Sequence, residues 1–215
     1  MTCNSQVSYV YFLQIERTNS KAEENNMRKL KLQMQITVDG FVAGANGELD
    51  WMTWNWDDEL KAHVKAMTDS VDTILMGRKM TDGFISHWSS ITDNPQDESY
   101  EFAKKMMDTE KVVFTKTLSE SNWKNTRLAK GDLMKEISDL KDQPGNDIVA
   151  YGGAGFVSSL VKSNLIDEYH LFINPAAIGK GLTIFGTLDD GKKLRLVNSR
   201  AFDCGVILAF YKPAE

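Results

Sequence analysis

The junction of strand, glycine pair and helix at residues 147–162 constrains the fold of this chain more than any other feature. Residues 148–151 (IVAY) form a short apolar run of β-prone residues, and Gly152 and Gly153 follow it directly. Apolar residues then recur at helical spacing, so the free amides and the positive dipole end of a helix lie at the glycines. This arrangement is typical of α/β folds, and it suits an anion such as a dinucleotide pyrophosphate.

The same glycines have a structural interpretation, in which they only allow the strand to pack closely against the helix. The two interpretations predict different results for Gly153→Val. If the backbone of Gly153 contacts a pyrophosphate, valine abolishes dinucleotide binding and leaves the fold largely intact. If the glycine only packs, valine separates the helix from the sheet and lowers the melting temperature.

Two further predicted strands end in groups that suit a phosphate. The apolar run 73–76 is followed by a glycine and two cations that begin the next helical segment, and the run 111–114 is followed by a hydroxyl and a cation. Cations oppose the dipole at a helix N-terminus, so they make better sense as partners of a phosphate. The residues at these two strand ends are Gly77, Arg78, Lys79, Thr115 and Lys116.

Strand signals alternate with helical signals along the chain, and this order predicts an α/β fold with a largely parallel sheet. Only residues 203–205 separate the last two strands, which predicts an antiparallel hairpin at one edge. The predicted strands are 29–37, 72–76, 111–116, 147–151, 168–173, 194–202 and 205–211. The predicted helices are 57–69, 78–86, 96–108, 131–141 and 154–162.

Composition excludes several classes of protein. A length of 215 residues allows one domain with a substantial core, and a net charge of −5 gives no support for a nucleic-acid partner. The three histidines lack metal-ligand spacing, and the two cysteines lie far apart, which indicates a reducing compartment. We therefore predict a cytoplasmic protein without a bound metal and without a nucleic-acid or membrane partner.

The first 26 residues differ from the rest of the chain. Their apolar run 7–13 is far shorter than a membrane span, and residues 16–26 are polar without a helical or strand period. Met27 then leads directly into the first predicted strand. We interpret 1–26 as a disordered extension or a mis-assigned leader ahead of a start at Met27, and 27–215 as a single domain.

Several ordered motifs together resemble the dihydrofolate reductase superfamily, in the branch related to the C-terminal reductase domain of bacterial riboflavin biosynthesis enzymes. These motifs are LQMQITVDGFVAG at 32–44, MGRKM at 76–80, VVFTKTL at 112–118, VAYGGAG at 149–155 and LIDEYHLFINPAAIGKG at 165–181. The resemblance implies a dihydrofolate-reductase-like, three-layer α/β/α fold. Its sheet would be mixed and mostly parallel, with a C-terminal antiparallel hairpin.

The resemblance also implies an NAD(P)H-dependent reductase of a small heterocyclic substrate, of the 5-amino-6-(5-phosphoribosylamino)uracil reductase type. Backbone groups near Gln35 and Val42 would hold the nicotinamide, and the two cationic strand ends would hold the adenosine side and its phosphates. The family commonly carries threonine at the position of Met80, so helix amides would have to replace that hydroxyl. The residues implied to take the pyrophosphate are Gly152, Gly153, Ala154 and Gly155.

Cofactor choice and substrate are separate questions. The three cations Arg78, Lys79 and Lys116 predict NADPH rather than NADH, because a 2′-phosphate gains charge-assisted hydrogen bonds that a hydroxyl cannot make. The chain lacks a zinc deaminase signature, so it is not the bifunctional riboflavin enzyme. Two alternatives stay open: a dihydrofolate reductase proper, and a non-catalytic dinucleotide-binding protein.

Reduction also needs a proton, for which Glu59 and Asp39 are the catalytic candidates. The resemblance places an acid at Glu59, which the nearby tryptophans would desolvate, although the residue also suits the first turn of a helix. Asp39 follows the first strand, where an ordinary turn residue is the alternative. The loop 38–56 contains three glycines and three tryptophans, which predicts a lid over a flat ring, with a fixed aromatic cap as the alternative. The resemblance implies that this ring is the nicotinamide.

A homodimer is the last expectation. The closest branch of the resembling family associates in this way. The hairpin 194–211 also carries more apolar side chains than one small core is expected to cover. These side chains are Leu194, Leu196, Phe202, Val206, Leu208 and Phe210.

Overall fold

The computed structural model describes residues 27–214, which form an eight-stranded sheet with helices on both faces. The predicted extension 1–26 lies outside the described residues. The strands are β1 (Leu30–Thr37), β2 (Val71–Gly77), β3 (Glu110–Phe114), β4 (Thr126–Ala129), β5 (Asp147–Gly152), β6 (Glu168–Asn174), β7 (Leu194–Ala201) and β8 (Ile207–Pro213). The helices are α1 (Asp58–Asp69), α2 (Arg78–Thr92), α3 (Tyr100–Asp108), α4 (Leu133–Lys141) and α5 (Ala154–Lys162).

The sheet has the order β4-β3-β2-β5-β1-β6-β8-β7. Strands β4 to β6 are parallel to their neighbours in this order, and β8 is antiparallel to both β6 and β7. This confirms the predicted mixed, mostly parallel sheet with an antiparallel C-terminal hairpin. Because parallel strands share one direction, their carboxyl ends meet at one edge of the sheet and their amino ends at the other.

Alternating side chains divide the core between the two faces of the sheet. On one face, Leu32 and Ala150 pack with α4 and α5. On the other face, Val149 packs with α2 and α3, and Phe172 packs with α1. The α/β/α layering is therefore as predicted. One consequence matters for the site: α2 leaves β2 toward one face, whereas α5 leaves the neighbouring β5 toward the other.

The boundaries of several elements differ from the sequence-based prediction. Strand β4 was not predicted, because it is a four-residue edge strand whose pairing with β3 is decided by tertiary contacts. Helix α2 extends to Thr92 rather than ending at 86. Helix α3 begins at Tyr100 rather than at 96, because the Asp97 carboxylate accepts the amide of Ser99 and forms a turn.

Within residues 27–214, no helix combines the length and the apolar character that a membrane span requires. The same residues contain no cluster of three or more histidine, cysteine, aspartate or glutamate side chains placed to hold a metal ion.

Candidate active site

Two glycines bring the carboxyl ends of β2 and β5 into contact. A Cβ atom added to Gly153 would lie 3.1 Å from the Cα of Gly77, and one added to Gly77 would lie 2.9 Å from the Cβ of Phe156. The helices that follow these strands cover opposite faces of the sheet. At such a switch point, open α/β sheets generally bind their ligands in a crevice outside the carboxyl ends of the strands, so we take these strand ends as the candidate crevice.

This geometry corrects the expectation for Gly153→Val. Gly153 has φ +86°, a conformation that strains any residue with a side chain, and its Cβ would crowd the backbone of Gly77. Valine would therefore destabilise the fold whether or not a ligand contacts this residue, so the predicted intact fold is wrong. Gly155 differs, because it is exposed and an added Cβ would meet nothing within 4 Å.

The helices that begin at the crevice have unusually bare N-termini. Helix α2 begins at Arg78 and α5 at Ala154, and neither has a capping side chain or an acidic residue in its first turn. By contrast, α1 and α4 are capped by the carboxylates of Asp57 and Asp132, and both carry acids in the first turn. The first-turn amides of α2 and α5 thus lack a side-chain acceptor, as an anion-binding helix end requires.

The predicted cations meet at the same edge. Gly77 pairs with Phe114, so Arg78 and Thr115 leave adjacent parallel strands at the same level. The Thr115 hydroxyl accepts the amides of residues 117 and 118 and so holds the turn that carries Lys116. The side chains of Arg78, Lys79 and Lys116 are exposed, and none of the ion pairs among the described residues includes them.

Met80 stands where the resembling family carries a threonine, and the neighbouring hydroxyl of Thr81 cannot replace that group. The side chain of Thr81 is fully buried, and its hydroxyl donates to the carbonyl of Gly77 at 3.3 Å. Met80 itself lies against Gly152, where an added Cβ would approach its sulfur to 2.7 Å. Backbone amides are therefore what this part of α2 offers to a phosphate.

The loop that follows β1 is hydrogen-bonded to the segment that follows β6. The amide of Val42 donates to the carbonyl of Leu182, so it is already used within the protein. The carboxylate of Asp39 accepts the hydroxyl of Thr37 and the amides of Ile178 and Gly179, and these bonds hold its pKa below the ordinary value. Asp39 is thus ionised at neutral pH and serves the turn, so its catalytic role stays a prediction.

The structure places Glu59 away from the expected apolar surroundings. Its carboxylate lies 2.6 Å from the guanidinium of Arg200, and the glutamate side chain is 65% exposed. The neighbouring Asp57 also turns to the hairpin, where it accepts the amide of Cys204. The predicted desolvation of Glu59 by tryptophans is therefore wrong, and Trp54 itself is 61% exposed. A proton-donating role for Glu59 stays a prediction.

Two polar side chains on the face of the sheet that α1 covers were not among the predicted functional groups. Asn174 ends β6, is fully buried, and bonds to both Gln35 and the amide of Thr53. Tyr151 lies on the same face, with its hydroxyl 3.4 Å from that of Thr68, and burial raises its pKa to about 12. The sequence did carry a signal for a polar site on this face, because glutamines alternate with apolar residues in the run LQMQI on a strand at the centre of the sheet.

Comparisons with known proteins agree with this architecture. The family model of the RibD C-terminal domain matches residues 28–208. The uncharacterized protein YyaP of Bacillus subtilis (strain 168) is 32% identical over 192 residues, which is 87% of this chain and 97% of that protein. The loop sequences and strand ends described above lie within the matched range.

Two solved structures share the fold. A protein of Shewanella sp. PV-4 assigned to riboflavin biosynthesis superposes with a TM-score of 0.66 at 23% identity, covering 88% of this chain and 100% of that one. A Thermotoga maritima diaminohydroxyphosphoribosylaminopyrimidine deaminase/5-amino-6-(5-phosphoribosylamino)uracil reductase gives a TM-score of 0.63 at 19% identity. The match covers 89% of this chain and 58% of that one, so this chain spans little more than half of the two-activity protein.

Proposed function

The chain belongs to the RibD C-terminal domain family, whose members are reductases, and we propose that it is an NADPH-dependent reductase of a small heterocyclic substrate. The observation that carries the proposal is the close approach of Gly77 and Gly153, where two uncapped helix N-termini meet beside unpaired cations. A dinucleotide brings two or three phosphates, and both features stabilise phosphate.

The residues present fit a nicotinamide dinucleotide. The amides at the start of α5 and the open face of Gly155 suit a pyrophosphate, because no side chain occupies that approach. Arg78, Lys79 and Lys116 would hold the adenosine side and its 2′-phosphate. When bound, the cofactor would supply the hydride, and the protein would supply orientation and electrostatics.

The choice of NADPH over NADH is tested by titrating both cofactors, with tryptophan fluorescence as the readout. We expect tighter binding of NADPH, and we expect Arg78→Ala to reduce that preference by about 10-fold or more. Lys130→Ala is a matched control, because Lys130 is an exposed cation whose ammonium group donates to the carbonyl of Ser119. Equal affinities for the two cofactors in the wild-type protein would contradict the assignment.

The proposed substrate is a ribosylaminopyrimidine of the kind named for the Thermotoga protein, 5-amino-6-(5-phosphoribosylamino)uracil. The test is oxidation of NADPH, followed by absorbance, with this compound and with dihydrofolate in parallel. Turnover of the pyrimidine supports the proposal. Turnover of dihydrofolate, with inhibition by methotrexate, would support a dihydrofolate reductase instead.

A non-catalytic dinucleotide-binding protein is a second candidate, and a specific observation favours it. The carboxylates of Asp39 and Glu59 are both engaged in contacts within the protein, so neither is free as a proton donor. NADPH binding without turnover of any pyrimidine or pterin would support this candidate.

We also propose a cytoplasmic homodimer. Phe202, Val206 and Leu208 of the hairpin are buried in the core, so only part of the predicted apolar surface remains available. Leu196 on the edge strand β7 is 51% exposed and Ile207 is 44% exposed. Light scattering at twice the 24.2 kDa of the chain would support the dimer, and a monomer at micromolar concentration would contradict it.

A further inference from the structure

Gln35 is partly exposed at a position where a side chain is normally covered. It lies on β1, which has β5 and β6 on its two sides, and the helix-covered face of such a central strand is normally buried. Its neighbours along the strand, Met34 and Ile36, are both 6% exposed, and Gln33 on the same face is also 6% exposed. Gln35 alone among residues 33–37 of β1 is partly accessible to solvent, and the uncovered space beside its side chain is called the opening below.

The orientation of the Gln35 amide is fixed by Asn174. The Nδ2 group of Asn174 donates to the Oε1 atom of Gln35 at 2.7 Å and to the carbonyl of Phe172 at 3.1 Å. The Oδ1 atom of Asn174 accepts the amide of Thr53 at 2.9 Å. Rotating the Asn174 amide by half a turn would place its oxygen against two acceptors and its nitrogen against a donor, so one orientation is strongly preferred.

As a consequence, the side chain of Gln35 presents hydrogen-bond donors at the opening. With its oxygen occupied, Gln35 presents the two N–H donors of its Nε2 group, and no acceptor among residues 27–214 takes them. In the loop that Asn174 holds, the indole N–H of Trp51 is also buried without a partner, two residues before Thr53. Donors without acceptors favour a ligand that presents oxygen.

We propose that Asn174 is a positioning residue that turns the N–H groups of Gln35 toward the opening, so that this part of the site recognises a carbonyl oxygen on a bound heterocycle. The identity of that heterocycle rests on the proposed function. The carbonyl belongs either to the uracil ring of the substrate or to the carboxamide of the nicotinamide. Asn174 is 139 residues from Gln35 in sequence and acts through it, without touching the ligand.

Asn174→Asp tests directly whether Gln35 presents its N–H donors, rather than its oxygen, at the opening. Aspartate keeps an acceptor for the Thr53 amide but has no N–H, so Gln35 would turn to donate to it and present its own oxygen at the opening. Gln35→Glu removes the donors without touching Asn174. We expect each variant to weaken recognition of the carbonyl ligand by about 10- to 100-fold. Because Asn174 is fully buried, its aspartate variant also lowers the melting temperature, and the coupling measurement below separates that loss from the loss of recognition.

The two sources of the carbonyl are separated by two measurements. Fluorescence titration with NADPH alone reports on the nicotinamide carboxamide, and the KM for 5-amino-6-(5-phosphoribosylamino)uracil at saturating NADPH reports on the uracil ring. Either loss supports the inference and identifies the ligand. Gln33→Glu is the charge control, because it adds the same charge to the same face of β1 at a residue that is not bonded to Asn174. Any loss of affinity in this control should be explained by its lower melting temperature alone.

Coupling between the two residues distinguishes positioning from a merely structural role. In a Gln35→Ala background, Asn174→Asp should have no further effect on KM or on NADPH affinity, because the group through which it acts is gone. If the aspartate variant acts only by destabilising the fold, it lowers affinity and melting temperature equally in both backgrounds, and the inference is overturned. Unchanged affinity in the wild-type background overturns it as well, because aspartate keeps the acceptor for the Thr53 amide.

A measurement without ligand keeps the inference independent of the proposed function. Hydrogen exchange of side-chain amides by ¹⁵N NMR should show protected Asn174 protons and rapidly exchanging Gln35 protons in the wild-type protein. In Asn174→Asp, the Gln35 protons should become protected. Rapid exchange at Asn174 in the wild-type protein overturns the inference, whereas absence of NADPH-dependent turnover with this exchange pattern intact overturns only the proposed function.

Discussion

The two edges of the parallel sheet use their cations in opposite ways. At the amino ends of the strands, Arg28 is paired with Asp72, and Lys31 lies 2.7 Å from Asp147. Glu168 at the same edge accepts contacts from Lys29, Lys212 and His170. At the carboxyl ends, the exposed cations that follow β2 and β3 take part in none of the ion pairs of the described residues.

The difference indicates where the fold is stabilised and where it is left open for a ligand. Paired charges at the amino edge lock the strand beginnings to one another. At the carboxyl edge, bare helix ends and unpaired cations each forgo about 0.3–1 kcal/mol of stability. A site that binds phosphate needs these groups free, so removing a cation should have opposite effects on stability at the two edges.

The largest effect is expected for Gly153→Val at the carboxyl edge. Strain at φ +86° and crowding of the Gly77 backbone should together lower the free energy of unfolding by about 2–5 kcal/mol. Chemical denaturation measures this loss. An unfolding free energy within 1 kcal/mol of wild type would show that Gly153 does not pack against Gly77 as described. The contrast between the two edges of the sheet would then lose its structural basis.

Gly155→Asp should separate binding from stability. The added carboxylate has open space in the first turn of α5, where an acid stabilises a helix by about 0.3–1 kcal/mol. The same carboxylate would repel a pyrophosphate, so we expect NADPH affinity to fall by about 100-fold while the melting temperature holds or rises. Fluorescence titration and thermal melting provide the two readouts.

The matched control is Gly155→Ala, which adds a Cβ without charge. It should retain NADPH affinity within a few-fold and raise stability slightly, since alanine favours a helix interior over glycine. If aspartate and alanine bind NADPH equally well, the pyrophosphate does not lie at the start of α5.

Glu168 provides the corresponding test at the amino edge. The hydrogen bond from His170 and the nearby Lys29, Lys212 and Lys31 hold the pKa of Glu168 at about 2, below the ordinary 4.5. A lowered pKa in the folded state contributes stability that is fully present above about pH 4.5 and is lost as the pH falls toward 2. Glu168→Gln should therefore lower the free energy of unfolding by about 2–3 kcal/mol at pH 7 and by little near pH 2.

The control for Glu168 is Glu110→Gln, which removes an ion pair with Arg127 whose side chains are 53% and 40% exposed. Because water and salt screen the two charges, an exposed pair of this kind contributes only about 0–1 kcal/mol to the free energy of unfolding. Equal losses for the two variants at pH 7 would mean that the amino edge gains no special stability from burial.

Much of the carboxyl edge could be predicted from the sequence. The apolar runs before Gly77 and Gly152 predicted strands, and the positions of glycines and cations after them predicted one common edge. These signals are local, because strand, turn and helix follow one another directly in the chain. The short strand β4 was missed because four residues carry too little pattern to outweigh tertiary pairing.

The contacts of individual side chains could not be predicted in the same way. Asn174 reaches Gln35 across 139 positions, and Asp39 reaches Gly179 across 140. Glu59 matched both an acid of the resembling family and a first-turn helix residue, and only the position of Arg200 decides where its carboxylate lies. Residue type thus indicated chemistry, whereas the assembled fold determined which groups remain free.

The smallest expected effect contrasts a cation from each edge in the ligand-free protein. Arg78→Ala removes a positive charge from an uncapped helix N-terminus, so we expect the free energy of unfolding to rise by about 0.3–1 kcal/mol. Lys31→Ala removes the ion-pair partner of Asp147, which keeps only the backbone amide of Lys29, and because the lysine side chain is 12% exposed, we expect a fall of about 1–3 kcal/mol. Denaturation of the two variants at one salt concentration gives both signs. A loss of stability for Arg78→Ala would mean that this cation stabilises the fold, and the carboxyl edge would then no longer contrast with the amino edge.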